Sequence, residues 1–271
     1  MARFFIYLAY NGTRYSGWQT QPNAPSVQQT VEEAISTIVR QPVGVVGAGR
    51  TDAGVHAHEM VAHADLPCDT PAEAATLTER LNKLLPRDIV IYRMAPVKAD
   101  AHARFDAISR TYHYYLTEQK DPFMEGLMLK TYRKLDFKRM NEAAALLPRY
   151  IDFTSFSKLH TDVKTNNCRI TEARWMPLAQ TGQWVFSITA DRFLRNMVRA
   201  IVGTLFHVGR GKLSITDFRD IIESQPCRLF SSGSCPLSGE GSLPVGSVSL
   251  TASFPRPIIC FSVRLKKVKN K

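Results

Sequence analysis

Apolar and polar positions along this chain follow two periods, one near two residues and one near 3.6. Residues 3–10 are rich in aromatic and aliphatic side chains and predict a strand. A polar loop holding Asn11-Gly12 and Gly17-Trp18-Gln19 follows. Ser26, with Gln29 three residues on, resembles a capping box, and Val31, Ala34, Ile35 and Ile38 then recur at helical spacing. Residues 43–46 and 59–66 predict two more strands. Pro71 opens a helix that runs through Leu77, Leu81, Leu84 and Leu85 and is stopped by Pro86; residues 88–93 predict the next strand. This β-α-β-β-α-β order points to a split βαβ, ferredoxin-like unit.

A second series begins after Ala103-Arg104-Phe105-Asp106. Residues 111–117 predict a strand, and 136–147 a helix ended by Pro148. Strands over 168–176 and 184–190 follow, then a helix over 192–208 and a shorter one over 214–223. The second half repeats the α+β style of the first without a recognisable sequence repeat. The expected division is 1–105 and 106–271, with the boundary near 103–108. From about Ser224 the periodicity is lost in a Ser/Gly-rich stretch that reads as a long loop or poorly ordered segment. Some strand signal returns at 258–263, and 264–271 form a basic tail.

Composition narrows the class. With 44% apolar and 22% charged residues in 271, the chain has the make-up of a soluble globular protein of one large or two ordinary domains. No window approaches the roughly 18 uninterrupted apolar residues of a membrane span, and the first residues are too strand-like for a signal peptide. The cysteines at 68, 168, 227, 235 and 260 are odd in number and form no C-x-x-C pair. They point away from a disulfide framework or zinc knuckle, and a cytoplasmic location is the expectation. A net charge of +11 brings a polyanionic partner into view.

The most informative run is 47–57, Gly-Ala-Gly-Arg-Thr-Asp-Ala-Gly-Val-His-Ala. It sets one carboxylate, Asp52, between Arg50 and a glycine-hinged turn directly after a predicted strand. The plainer reading of the same residues is a tight turn with Asp52 capping its own backbone. On the helix expected over 192–208, Arg192, Arg195 and Arg199 fall within roughly 60° of one another at about 100° per residue. Leu194, Val198, Ile201 and Leu205 take the opposite side. These arginines have no acidic partner at helical spacing after Asp191, so phosphates or a distant carboxylate would satisfy them. His56 and His58 would share one face of a strand and, with His63 and nearby carboxylates, admit a metal site. Tyr112 and Tyr114 would also share a face, either as core residues or as a platform for an extruded base. No phosphate-binding loop and no nucleophile triad is legible.

Taken together, these pieces resemble the TruA family of tRNA pseudouridine synthases. The likeness runs from Tyr10-Asn11-Gly12-Thr13 and Gly17-Trp18-Gln19-Thr20-Gln21-Pro22 through Gly49-Arg50-Thr51-Asp52-Ala53-Gly54-Val55-His56-Ala57. It continues in Ala103-Arg104-Phe105-Asp106-Ala107, Arg110-Thr111-Tyr112 and Phe193-Leu194-Arg195-Asn196-Met197-Val198-Arg199, covering roughly residues 3–223. The resemblance implies two ferredoxin-like domains with largely antiparallel sheets packed around a central RNA-binding cleft. It implies isomerisation of uridine to pseudouridine at positions 38 to 40 of the tRNA anticodon arm, a homodimer, and no metal or organic cofactor. Asp52 maps onto the catalytic carboxylate, Arg50 onto the residue that helps displace the base, Tyr112 onto the tyrosine against the uracil, and Arg199 onto the partner of the aspartate. Trp18, Gln19, Arg104, Phe105, Arg110, Arg192 and Arg195 fall where the family contacts tRNA. The residues beyond 224 depart from the family pattern, as if diverged or read from a shifted frame near 223–227. Two other readings stand beside this one: a metal-dependent hydrolase built on His56, His58 and a carboxylate, and a non-catalytic RNA-binding protein if that tail disables the site.

Overall fold

The computed structural model describes residues 1–157, 165–224 and 259–265. Its first strand, β1 (Ala2–Tyr10), buries Phe4, Ile6, Leu8 and Tyr10 at alternate positions, and Phe5 on the other side is buried as well. α1 (Val27–Val39) starts where Ser26 accepts a hydrogen bond from the Gln29 backbone N–H. The expected box is half formed, because the Gln29 amide turns forward to Glu33. β2 (Val46–Gly47) is shorter than the strand expected over 43–46. The N–H groups of Val43 and Val45 bond Ser36 Oγ and Glu32 Oε1 of α1, which removes them from any strand ladder. β3 (His56–Leu66), α2 (Pro71–Leu84) and β4 (Ile89–Pro96) complete the first half.

The second half runs β5 (Ala107–Thr117), β6 (Leu129–Lys130), α3 (Phe137–Ala144), β7 (Ile170–Pro177), β8 (Gln183–Ala190), α4 (Met197–Gly209), α5 (Ile215–Glu223) and β9 (Ile259–Leu265). One helix starts later than expected. The helix expected from Arg192 begins at Met197, so Arg192 and Arg195 lie on a turn and only Arg199 lies on the helix. The cause is local: Asp191 Oδ1 accepts from the backbone N–H of Arg169 and Arg192, and Asn196 takes a left-handed conformation with φ 63°. The strand expected at 258–263 is β9, whereas the long loop expected from 225 to 258 lies outside the described residues.

Among the described residues nine strands form one sheet in the order β4-β1-β3-β9-β5-β8-β7, with β2 also on β3 and β6 on β5. Within the first half the order β4-β1-β3-β2 is antiparallel throughout, and β9-β5-β8-β7 repeats that arrangement. Both halves therefore carry the ferredoxin-like α+β pattern read from the sequence. They are joined by parallel pairing of β3 with β9. Register explains the junction: β2 pairs with only Ala62 and His63, leaving the edge of β3 from His56 to Glu59 for β9.

The two outer strands are closed by the same device. Asn82 of α2 bonds both the N–H and the C=O of Ile91 on β4, at 2.8 and 2.7 Å. Asn141 of α3 does the same for Trp175 on β7, at 2.7 and 3.0 Å. Each amide satisfies backbone groups that an edge strand otherwise offers to another chain.

Candidate active site

The run 47–57 is a loop gripped by the segment that follows β1. Thr51 O accepts from Trp18 N at 3.2 Å, Gly54 N donates to Tyr15 O at 3.2 Å, and Gly12 N donates to His56 Nδ1 at 3.0 Å. Inside this contact the Tyr10 hydroxyl and Thr51 Oγ1 lie 2.8 Å apart, both residues buried. Gly17 makes the approach feasible: its φ is +101°, and a Cβ there would stand 2.2 Å from Thr51 O. Trp18 is 2% exposed, and its indole fills the space a Cβ on Gly47 would need, at 2.5 Å. It floors the loop from below. The turn Asp52–Val55 closes with Val55 N on Asp52 O at 3.2 Å and Gly54 at φ +77°.

Asp52 is half-buried on this loop, and Arg50 is exposed. Among the described residues the ion pairs are Arg3–Asp65, Arg14–Asp88 and Arg174–Glu172, so the Asp52 carboxylate is left unpaired. The plainer reading, in which Asp52 caps its own backbone, is not what forms: no side-chain hydrogen bond of that kind is present. Tyr112, half-buried on β5, faces the same space. Burial and then the Asp52 charge push its phenol well above the usual range, against the opposing pull of Arg110. Its ring meets Phe193 edge-on at 4.9 Å and Phe261 of β9 at 5.1 Å. Tyr10, next to Thr51, is likewise held neutral by burial.

Arg199 reaches the loop from α4, but its Nη2 donates to Ala53 O at 3.4 Å, not to the Asp52 carboxylate. Its Nε is buried without a hydrogen-bond partner. Arg110 donates to the backbone carbonyls of Ala48, Arg104 and Asp191. Gln19, Arg104, Phe105 and Arg195 are exposed, Phe105 at 75%, and Arg192 is half-buried. The structure thus brings Asp52, Tyr112 and Arg199 around one loop, with the half-buried Arg192 and the exposed Arg195 on the turn before α4.

The histidine pair does not form a metal site. The β3 ladder shifts register between its pairing with Leu8 and with Tyr10, and again at Ala57/Glu59 opposite β9. His56 is buried, its Nδ1 accepting from Gly12 N, while His58 is exposed. Among the described residues no three His, Cys, Asp or Glu side chains gather as metal ligands. The third histidine, His63, packs edge-on against His102 at 4.6 Å and accepts from Ala103 N.

Tyr10 and Phe193 belong to the family-like motifs but carried no individual role in the sequence, and Phe261 carried none at all. Tyr10 closes a strand pattern, and its pairing to Thr51 depends on a contact across 41 residues. Phe261 belongs to β9, whose neighbours in the sheet no local pattern reveals.

Comparison with known proteins identifies the family of the chain. A family profile described as tRNA pseudouridine synthase matches residues 6–106 and 150–236. The tRNA pseudouridine synthase A of Porphyromonas gingivalis is 99% identical over 225 residues, 83% of this chain and 89% of that protein. The proteins of the same name from Parabacteroides distasonis and Bacteroides thetaiotaomicron are 60% and 59% identical over 226 residues, 83% of this chain and 88% and 83% of theirs. Loop, aspartate, tyrosine and arginines thus lie within a chain that belongs to the tRNA pseudouridine synthase family.

Proposed function

We propose that this protein isomerises uridine to pseudouridine in tRNA, acting on positions 38 to 40 of the anticodon arm, with Asp52 as the catalytic carboxylate. The observation that carries the reading is the state of Asp52. It sits half-buried beside Tyr112, on a loop bonded through Ala48 and Ala53 to arginines of the other half, with its own carboxylate unpaired. A carboxylate held in place and left unengaged is what covalent or acid–base chemistry requires.

The reaction breaks the N1–C1′ glycosidic bond, turns the uracil and joins C5 to C1′. The proton leaves C5 and N1 gains one, so no redox partner is needed. Asp52 acts either as a nucleophile toward the sugar or ring, or as a base on a sugar proton. The target base leaves its stack to reach the pocket. Arg50 helps displace it, and Tyr112 packs against the uracil. Arg199, with an unpartnered Nε, pairs with Asp52 once substrate is bound. Gln19, Arg104, Phe105, Arg192 and Arg195 supply the surface that meets tRNA, with Trp18 supporting the loop.

We further infer two units, 1–105 and 106–271, a homodimer in which the cleft accepts tRNA, and a cytoplasmic site of action. Incubation with an unmodified tRNA transcript, followed by position-resolved pseudouridine mapping, tests the reading. Product in the anticodon arm supports it, and a transcript left unmodified refutes it.

A further inference from the structure

Arg110 stands on β5, one strand away from the β3–β9 junction that joins the two halves of the sheet. Its Nη2 donates to Ala48 O at 2.7 Å and to Arg104 O at 2.9 Å, its Nε to Ala48 O at 3.3 Å, and its Nη1 to Asp191 O at 2.6 Å. A guanidinium carries five N–H donors in a rigid fork, so most of this fork is already directed at the protein backbone.

The three carbonyls belong to segments far apart in the chain. Ala48 opens the loop that carries Arg50 and Asp52; Arg104 lies in the crossover from β4 to β5; Asp191 opens the turn that carries Arg192 and Arg195. We propose that Arg110 is a positioning residue, locking the Asp52 loop, the crossover and the arginine turn into one arrangement, and not a contact to tRNA phosphate. The proposal rests on the uridine-isomerising reading of the site.

Two features of the surroundings fit this role. The side chain passes along the Gly49 backbone, where a Cβ would stand 3.7 Å from Arg110 Nε and 3.1 Å from Phe261 Cζ. Burial works against the Arg110 charge, and so do the neighbouring Arg104 and Arg192, with Tyr112 and Asp191 opposing them. A charge kept in such a place is satisfied by fixed carbonyl dipoles, and it remains there only if those carbonyls are held. The Asp52 loop is then bonded from the second half on both sides of the carboxylate, by Arg110 at Ala48 and by Arg199 at Ala53.

Lysine cannot reproduce this. Its ammonium is a compact donor on a flexible stem and does not span carbonyls arranged along a planar fork. Because misplacing a reacting group by about 1 Å costs on the order of a hundredfold in rate, the expected defect lies in turnover and not in affinity.

The test compares the full-length wild type with Arg110→Lys, measuring single-turnover pseudouridine formation and tRNA binding over a salt series. The expected result is a rate about a hundredfold lower, with tRNA affinity and the slope of affinity against salt unchanged. A phosphate contact predicts the opposite: Arg110→Ala lowers affinity and reduces the salt slope by about 0.7–0.9, and lysine restores both. That result, or an unchanged rate, overturns the proposal. Amide exchange at Gly54 and Val55, bonded to Tyr15 O and Asp52 O, gives a readout independent of turnover. Exchange at least tenfold faster in Arg110→Lys supports the clamp, and unchanged exchange refutes it. A wild type that makes no pseudouridine would refute the functional reading and leave this exchange result to decide the clamp. If the variant does not fold, the Arg110 Nε–H resonance of the wild type decides instead. It should be protected from solvent and unmoved by an anticodon stem-loop RNA; a shift on binding overturns the proposal.

Discussion

Arg199 Nη2 donates to the carbonyl oxygen of Ala53, the residue next to Asp52, at 3.4 Å, while Arg199 Nε is buried with no partner. A cation is thus held against the backbone of the Asp52 loop without an ion pair to its carboxylate. The arrangement costs stability in the free protein, because a buried donor is unmatched.

Replacing Arg199 therefore has opposite effects on turnover and on folding. Arg199→Met should lower the pseudouridine-forming rate by about a hundredfold or more and leave the melting temperature unchanged or higher. Single-turnover kinetics and thermal unfolding on the same preparation check both. A variant that loses stability in step with its rate would show that Arg199 is structural.

Gly17→Ala meets two obstacles, a φ of +101° and a Cβ 2.2 Å from Thr51 O. Neither is relieved by rotating a side chain, since the obstructing atom is backbone. The expected loss is about 2–4 kcal/mol, read by urea denaturation, with displacement of the Asp52 loop in a crystal structure of the variant. The control Gly44→Ala has nothing within 4 Å of its added Cβ and should be near neutral.

Arg195 is exposed on the turn before α4, and no internal ion pair engages it among the described residues. If it meets a phosphate, Arg195→Gln should weaken tRNA binding and flatten the plot of log affinity against log salt by about 0.7–0.9. The single-turnover rate at saturating enzyme should not change. Binding isotherms across a salt series supply the slope.

His63 provides a pH signature remote from the reaction. Burial first, then His102 and Arg3, lower its pKa to about 4, with Asp65 and Asp106 opposing. The folded state therefore favours the neutral ring, whose Nδ1 accepts from Ala103 N. The unfolded chain binds this proton near the ordinary histidine value of about 6.5. The contribution is complete above that value and is lost as pH falls toward 4, with a ceiling of about 3 kcal/mol. His63→Asn keeps an acceptor but cannot titrate, so wild type and variant should converge in stability as pH falls across this window. Denaturation curves at pH 7.5, 6 and 4.5 would reveal parallel behaviour if the histidine plays no part.

Much of this fold was readable from periodicity. The aromatic and aliphatic run of β1 and the Pro71 start of α2 are local signals, and each element formed where they pointed. Errors arose where side chains took over backbone partners. Ser36 and Glu32 occupy the N–H groups of Val43 and Val45, and Asp191 with Asn196 delays α4 until Met197. Both are contacts that hydrophobic spacing does not encode. At the site, Asp52 was legible because glycines flank it. The state of its surroundings was not: whether an arginine bonds a carboxylate or a neighbouring carbonyl depends on tertiary placement, and Arg199 and Arg110 both chose carbonyls.

The central claim is that the Asp52 carboxylate acts on uridine in tRNA. Incubating unmodified tRNA with wild-type protein and with Asp52→Ala, and mapping pseudouridine by position, tests it most directly. Product in the anticodon arm is expected from the wild type and none above background from the variant, with tRNA binding retained by both. Equal product from Asp52→Ala would contradict it.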